Sequence, residues 1–377
     1  MPPIKIAIII TRLDLGGAQE VALQTAVGLD PSRFDVRLLA GGGGWFDAEA
    51  RRLLGGRFVT VPNLVHPINP LRDLLALVWL WNYCVREKIQ VVHTHSSKAG
   101  LLGRLAAWLA RTARIVHTVH GWSFNDFQSG PVFTAFVLLE RRLARFSHRL
   151  LVVAVGLRDK GLLMSVGRAD GYTIVRAAVD LESWGQTPRS RAALKNLCPK
   201  LRPKVVGVLA NLKAQKAPLD FVRIAALVCR DRNDVDFVYA GDGPLRGDAE
   251  ALTLSLGLAG RVHFLGWQRE PRRIAAGFDI FLLPSLFEGL PCVFPEVLSM
   301  GLPVVASQVD GAADVVKEGF NGFLCQPRDV EAMADRVGAL LDKPGLRRLM
   351  SKNAKKSVAL EFSVSVMLEK TVEAYIS

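Results

Sequence analysis

The sequence holds few cysteines and none placed to act together. Cys84, Cys198, Cys229, Cys292 and Cys325 are scattered and odd in number, and no Cys-x-x-Cys occurs. The simplest reading is a reduced cytosolic protein with small buried thiols. Long apolar runs are also missing. A spanning helix needs about 20 apolar residues, and the longest candidate, residues 74–81, stops at Asn82 and Tyr83. No secretory signal is visible, because polar residues 11–14 cut the opening apolar run short. No Gly-x-Gly-x-x-Gly follows a strand, which disfavours a NAD-dependent dehydrogenase. Low-complexity segments and short repeats are absent as well.

What is present is a chain of 377 residues, half of them hydrophobic, long enough for two domains with full cores. The formal charge of +13 favours anionic partners such as phosphorylated small molecules or an anionic membrane surface. The basic residues are scattered and match no nucleic-acid-binding motif, so no nucleic-acid partner is expected. A mean hydropathy of +0.23 is high for a freely soluble enzyme and fits a protein that lies on a membrane without crossing it.

Apolar runs alternate with helical stretches in two series. Strands are expected at 4–10, 36–40, 91–94, 115–119 and 150–155, then at 205–209, 235–240, 262–265, 280–283 and 304–306. Unbroken Val/Ile/Leu runs indicate strands buried on both faces, and the helices between them imply parallel βαβ units. Two doubly wound domains follow. Residues 1–178 would form the first, 179–203 a junction rich in proline and basic residues, 204–356 the second, and 357–377 a last helical segment.

Ligands of open parallel sheets bind beyond the carboxyl ends of strands, so the residues that follow each strand matter most. Gly16 and Gly17 follow the first strand and permit close backbone approach to a phosphate or sugar. Gly41–Gly44 reads as a flexible loop. The third strand leads into His93-Thr-His95-Ser-Ser-Lys98, the fourth into His117-Thr-Val-His120-Gly121-Trp122. Four histidines invite zinc, but no carboxylate or cysteine cluster completes a site. The favoured reading has His120 hydrogen-bonding a polar substrate in a cleft, with His93 and His117 partly buried. In the second half Asn211, Lys213 and Lys216 form a basic loop suited to a diphosphate. Asp242, between Gly241 and Gly243, shapes a pocket or simply makes a turn. Glu288 and Glu296 flank a tight loop containing Gly289 and Leu290 that leads into a helix. Backbone N–H groups there could meet an anion while the acids accept from hydroxyls. Asp234-Val-Asp236 lies at the start of a strand, the wrong end for a ligand, and reads as surface.

Taken in order, these elements resemble the retaining GT-B glycosyltransferases of family 4 along nearly the whole chain. The carriers are the glycine pair Gly16-Gly17, Thr118-Val-His120-Gly121, the loop ending in Lys216, the Ala-Gly-x-Gly turn and Glu288-x7-Glu296. The resemblance extends to bacterial exopolysaccharide and lipopolysaccharide enzymes. It implies two Rossmann-like domains with an interdomain cleft, and transfer of a sugar from a nucleoside diphosphate, UDP favoured, with retention. It further implies Glu296 on the ribose, Glu288 on the donor sugar, and Gly289 and Leu290 near sugar and diphosphate. Lys216 would neutralise the diphosphate, His120 would lie beside the donor sugar, and Gly17 would face phosphate or acceptor. No cofactor or metal is implied. Three positions depart from the family pattern: Asn211 stands where an Arg is usual, with Lys213 as a substitute charge; the junction reads Ala177-Ala-Val-Asp180; and Asp310-Gly311 with Asp314 follow Ser307.

The expected acceptor is a lipid-linked or other saccharide. His95, Lys98, Arg104, Trp108, Arg111 and Trp122 are expected to form its face or a membrane face, with Arg141, Arg142 and Arg145 repeating the theme. Peripheral attachment to the inner face of the cytoplasmic membrane follows as the expected location. A nucleotide-sugar epimerase and a non-catalytic nucleotide-sugar sensor are the competing readings.

Overall fold

A computed structural model describes residues 2–358 and 360–377. The chain divides into two compact units, Met1–Ala178 with Ser363–Ser377, and Val179–Phe362.

The first unit is a wholly parallel sheet of seven strands in the order β3-β2-β1-β4-β5-β6-β7. Its strands are β1 (Ile4–Arg12), β2 (Phe34–Gly41), β3 (Phe58–Thr60), β4 (Val91–His95), β5 (Arg114–Val119), β6 (Arg149–Val152) and β7 (Tyr172–Ile174). The crossovers contain α1 (Gly17–Gly28), α2 (Asp47–Leu54), α3 (Pro70–Arg86), α4 (Ser97–Leu109), α5 (Gly130–Ala144) and α6 (Val155–Leu163). Ile6, Ile8, Ile9 and Ile10 are all inaccessible to solvent, as expected of a central strand covered on both faces. Pro70 opens α3 behind Asn69, whose Oδ1 accepts from the Arg72 N–H at 3.1 Å.

The second unit holds a six-stranded parallel sheet, β10-β9-β8-β11-β12-β13. It opens with α7 (Leu181–Gln186) and α8 (Ala192–Leu197) and continues through β8 (Lys204–Leu209), α9 (Pro218–Cys229), β9 (Val235–Ala240), α10 (Arg246–Ser255) and β10 (Val262–Phe264). Then come α11 (Pro271–Ala275), β11 (Ile280–Leu283), α12 (Val293–Ser299), β12 (Val304–Ser307), α13 (Ala312–Val315), β13 (Gly322–Cys325), α14 (Val330–Asp342) and α15 (Pro344–Ser357). The segment read as a junction is built into this unit: Ser190 N–H donates to the Ala276 carbonyl at 3.1 Å, and Arg191 pairs with Asp279 at 2.6 Å. The last helix, α16 (Val364–Ile376), packs in the first unit, where Arg114 Nε reaches the Ala374 carbonyl at 3.0 Å.

Three strands escape the sequence reading, β3, β7 and β13. Each has three or four residues, too short to show a pattern. The run expected at 150–155 ends as a strand at Val152 because Val155 already opens α6. Gly41 and Gly44 do not form the expected slack loop. A Cβ on Gly41 would sit 1.8 Å from the Leu64 carbonyl oxygen, and one on Gly44 would sit 2.7 Å from the Leu13 backbone. Both positions require glycine because chain segments touch there. Asp236 is also misread as surface. It is fully buried in β9, taking Arg202 N–H and Nη1 at 2.8 Å.

Candidate functional site

In each sheet the strand order reverses at one place, between β1 and β4 and between β8 and β11. Open α/β sheets bind ligands beyond the strand ends at such points. In the second unit the loops after β8 and β11 meet there. The Leu286 N–H donates to the Gln215 carbonyl at 2.8 Å, and Gln215 Nε2 donates to the Phe287 carbonyl at 2.9 Å. These contacts hold Lys216 against Glu288. Lys216 Nζ donates to Glu288 Oε1, Ser285 Oγ donates to the same oxygen at 2.8 Å, and Gln215 Nε2 reaches Oε2 at 3.3 Å. Glu288 is buried and Lys216 half-buried. A carboxylate offers about four acceptor positions and an ammonium three donors. The cluster therefore keeps acceptor capacity on Glu288 and donor capacity on Lys216. Ala217 follows in the left-handed region at φ 45°, a strained conformation for a residue with a Cβ, immediately before Pro218 opens α9.

The loops after β8 and β9 are zipped beside this cluster. Leu212 N–H donates to the Asp242 carbonyl and Leu245 N–H to the Leu212 carbonyl, both at 3.0 Å. Tyr239 Oη donates to the Asn211 carbonyl at 3.0 Å. Gly241, at φ 149°, has no room for a Cβ: the Ala210 carbonyl oxygen would lie 1.8 Å away. Gly243 would meet the Leu212 backbone at 2.8 Å. Asp242 makes a turn, accepting from Gly243 N–H at 2.8 Å and Arg246 Nη1 at 2.9 Å. Asn211 Oδ1 is buried without a hydrogen-bond partner, while Lys213 is exposed. Gly289 and Leu290 are buried in the loop after Glu288, and Glu296 stands half-buried in the first turn of α12.

In the first unit the sequence-predicted histidines come together at the ends of β4 and β5. His93 is gripped at both ring nitrogens, Nδ1 by Tyr375 Oη and Nε2 by Thr118 Oγ1, each at 2.7 Å. His117 Nδ1 meets Thr94 Oγ1 at 2.8 Å. His95 Nδ1 lies 2.9 Å from His120 Nε2. Burial holds all four rings neutral, pushing His93 down to about 3, His120 to about 4, and His95 and His117 well below the ordinary histidine range. One nitrogen of the His95–His120 pair must then donate and the other accept. That bond occupies His120 Nε2 and leaves Nδ1 as its ring nitrogen without a partner among the described residues. No group of three or more His, Cys, Asp or Glu is placed to hold a metal among the described residues.

Near Gly16 and Gly17, at the switch point of this sheet, Thr11 Oγ1 and Ser96 Oγ lie 2.8 Å apart, with Ser96 held at φ 64°. Gly17 opens α1 and Gly16 precedes it.

The expected acceptor or membrane face does not form as a unit. His95 and Arg104 are inaccessible, and Trp122 is buried with its Nε1 donating to the Leu157 carbonyl at 2.8 Å. Arg104 belongs to the interior, where it pairs with Glu140 at 3.1 Å and donates to the Gly100 carbonyl at 2.7 Å. Lys98 is taken up by Asp73 at 2.7 Å. Trp108 and Arg111 are exposed. An Arg at helical spacing from a Trp looks surface-bound in sequence; only the distant Glu140 reveals it as a core residue.

Sequence reasoning also missed Ser285, Gln215 and Tyr375. Ser285 could have been found, since it directly precedes the loop three residues before Glu288. Tyr375 carries no signal, because its partner lies 282 positions away.

Comparison with known proteins agrees with this fold. Residues 16–177 match a family described as glycosyl transferase 4-like domain, and residues 203–343 match glycosyl transferases group 1. An Escherichia coli protein, UDP-Gal:alpha-D-GlcNAc-diphosphoundecaprenol alpha-1,3-galactosyltransferase, is 31% identical over 99% of this chain and 97% of its own length. This chain is a family 4-type GT-B glycosyltransferase. The fold of the glycosyltransferase is shared with Anabaena Alr3699/HepE, solved in complex with UDP and glucose, at a TM-score of 0.81, 21% identity and 98% coverage of both chains. It is likewise shared with the lipopolysaccharide outer core galactosyltransferase WaaB, at a TM-score of 0.73, 18% identity, and coverage of 98% of this chain and 99% of the other. The relatives are transferases, so the epimerase and sensor readings are not favoured.

Proposed function

We propose that this glycosyltransferase moves a sugar from a UDP-sugar to a lipid-linked saccharide in surface polysaccharide synthesis, with retention at the anomeric carbon. The observation that carries the reading is the Lys216–Glu288 cluster at the switch point of the second sheet. It sets a cation and a carboxylate side by side, each with capacity to spare, as a sugar diphosphate requires. The E. coli relative is named for a UDP-Gal donor and a diphosphoundecaprenol acceptor, and the Anabaena structure contains UDP, which supports the same classes here.

In this reading Lys216 binds the diphosphate, and Lys213 supplies the second charge in place of the usual arginine at Asn211. Glu296 holds the ribose, Glu288 accepts from a donor-sugar hydroxyl, and Gly289 and Leu290 lie near sugar and diphosphate. Gly241 and Gly243 let the neighbouring loop pack close. His120, neutral and anchored through Nε2 by His95, offers Nδ1 to the donor sugar, and Gly16-Gly17 face phosphate or acceptor.

Negative charge grows on the diphosphate as its bond to the anomeric carbon breaks, and Lys216 stabilises it. The acceptor oxygen bonds to that carbon on the same face, and its proton passes to the leaving phosphate oxygen. No residue needs to act as a covalent nucleophile, and the scheme calls for no metal. A thermal-shift screen with UDP-, GDP- and ADP-sugars tests the donor class. Stabilisation by UDP-sugars above the others is expected; a flat response to all would overturn the reading.

A further inference from the structure

His95 and His120 share one hydrogen bond, from Nδ1 of the first ring to Nε2 of the second, at 2.9 Å. Both rings are neutral, because burial lowers their proton affinity. Each ring therefore carries one proton on one of its two nitrogens. Only two arrangements satisfy the shared bond. In the first, His95 Nδ1–H donates; His120 then holds its own proton on Nδ1, and His95 Nε2 is bare. In the second, His120 Nε2–H donates; His95 then holds its proton on Nε2, and His120 Nδ1 is bare. The outer nitrogens of the pair are thus linked. One is a donor and the other an acceptor.

Burial decides between them. His95, the last residue of β4, is inaccessible, and its Nε2 is buried with no hydrogen-bond partner among the described residues. The His93 ring lies against it, centroids 4.2 Å apart, but both His93 nitrogens are already taken by Tyr375 and Thr118. His117 turns its Nδ1 to Thr94. His120 directly follows β5 and is only half-buried, and its free Nδ1 is not sealed from solvent. A proton on His95 Nε2 would make a buried N–H with nothing to receive it. The same proton on His120 Nδ1 can be received by water or by a ligand oxygen. Orphaned buried N–H groups are rarer than buried acceptors with a spare lone pair. The first arrangement is the stable one.

We propose that His95 is a positioning residue that locks His120 as the Nδ1–H tautomer, so that His120 meets the donor sugar only as a hydrogen-bond donor. This rests on the reading that sets His120 beside the donor sugar, and adds what the ring does there. With Nδ1 protonated and Nε2 already accepting from His95, His120 has no site for the acceptor's proton, which is left to the leaving phosphate.

The experiment is a long-range proton–nitrogen correlation spectrum of ligand-free protein labelled at its histidine nitrogens, which separates the N–H nitrogen of each ring from the bare one. The His95 and His120 signals, identified by their loss in His95→Asp and His120→Asn, should both place the proton on Nδ1. A proton on Nε2 of either ring would overturn the proposal. His95→Asp then tests the function. Its carboxylate accepts from His120 Nε2–H and favours the charged ring, so Nδ1 gains and loses its proton with pH. In that variant the affinity for the UDP-sugar, divided by that for UDP, should fall about three- to tenfold as pH rises through the His120 titration, the worth of one hydrogen bond. In the wild type the ratio should stay level over the same range. A ratio in His95→Asp that ignores the titration of His120 would also overturn the proposal. Should His95→Asp fail to fold, the wild-type spectrum still decides the tautomer. Absence of UDP binding by the wild type would defeat the donor reading instead, and would leave that spectrum unchanged.

Discussion

Mild acid should destabilise the first unit, and the buried histidines set how steeply. His93 is inaccessible, with both ring nitrogens bonded to neutral hydroxyls. Burial holds its proton affinity at about 3, against 6.5 in the unfolded chain. The sign follows from the proton count. Above 6.5 neither state binds the proton and stability is independent of pH. As pH falls below 6.5 the unfolded ring takes up a proton and the folded one does not, so stability is lost down to about 3. The loss runs at about 1.4 kcal/mol per pH unit for one ring. At pH 5 His93 alone removes about 2 kcal/mol, from a total that for most domains is about 5–15 kcal/mol. His95 and His117, also buried and also held well below the histidine range, act in the same direction. Calorimetry between pH 7.5 and 5 should show one transition moving to lower temperature. Histidine Cε1 resonances should show no titration of these rings near neutral pH. A midpoint that stays fixed down to pH 5, or buried rings titrating at 6–7, as an ordinary histidine does, would refute the reasoning.

Three substitutions probe other parts of the account. Tyr375→Phe removes the hydroxyl at His93 Nδ1, leaving a buried polar atom unpaired, and should cost about 1–3 kcal/mol by urea denaturation. Glu140→Gln leaves the Arg104 cation buried without its counter-charge and should cost about 3–5 kcal/mol; a change under about 1 kcal/mol would show that Arg104 finds compensation elsewhere. Lys216→Ala should lower the transfer rate about a hundredfold or more while shifting the thermal midpoint little, because the pair sits at a loop.

The fold was legible where burial writes itself into continuous apolar runs. The strands β1, β8 and β11, at the centre of the two sheets, contain such runs. Legibility failed at edge strands of three or four residues, where no pattern can develop. It failed again at Arg104 and Asp236, whose burial depends on partners far along the chain. Glu288 and Lys216 could each be picked out by position after a strand, yet their pairing, and its bracing by Ser285 and Gln215, depends on how two loops meet. The histidine cluster was half visible: the motif showed four rings, while the neutralising burial and the tie to Tyr375 are products of packing. Residues 74–81 were read only as too short to span a membrane. Ala76 and Leu80 of that segment are buried, while Leu74, Leu75, Val78 and Trp81 are exposed.

The central claim is that Lys216, Glu288 and Glu296 hold a nucleotide-sugar, each at a different part of it. Calorimetric titration with UDP and with the favoured UDP-sugar, on wild type, Glu296→Gln and Glu288→Gln, tests this most directly. Glu296→Gln should weaken both ligands by a similar factor, because the ribose is common to them. Glu288→Gln should weaken the UDP-sugar about tenfold or more and leave UDP nearly unchanged, the loss of one charged hydrogen bond to a sugar hydroxyl. Equal affinity of all three proteins for both ligands would contradict the account.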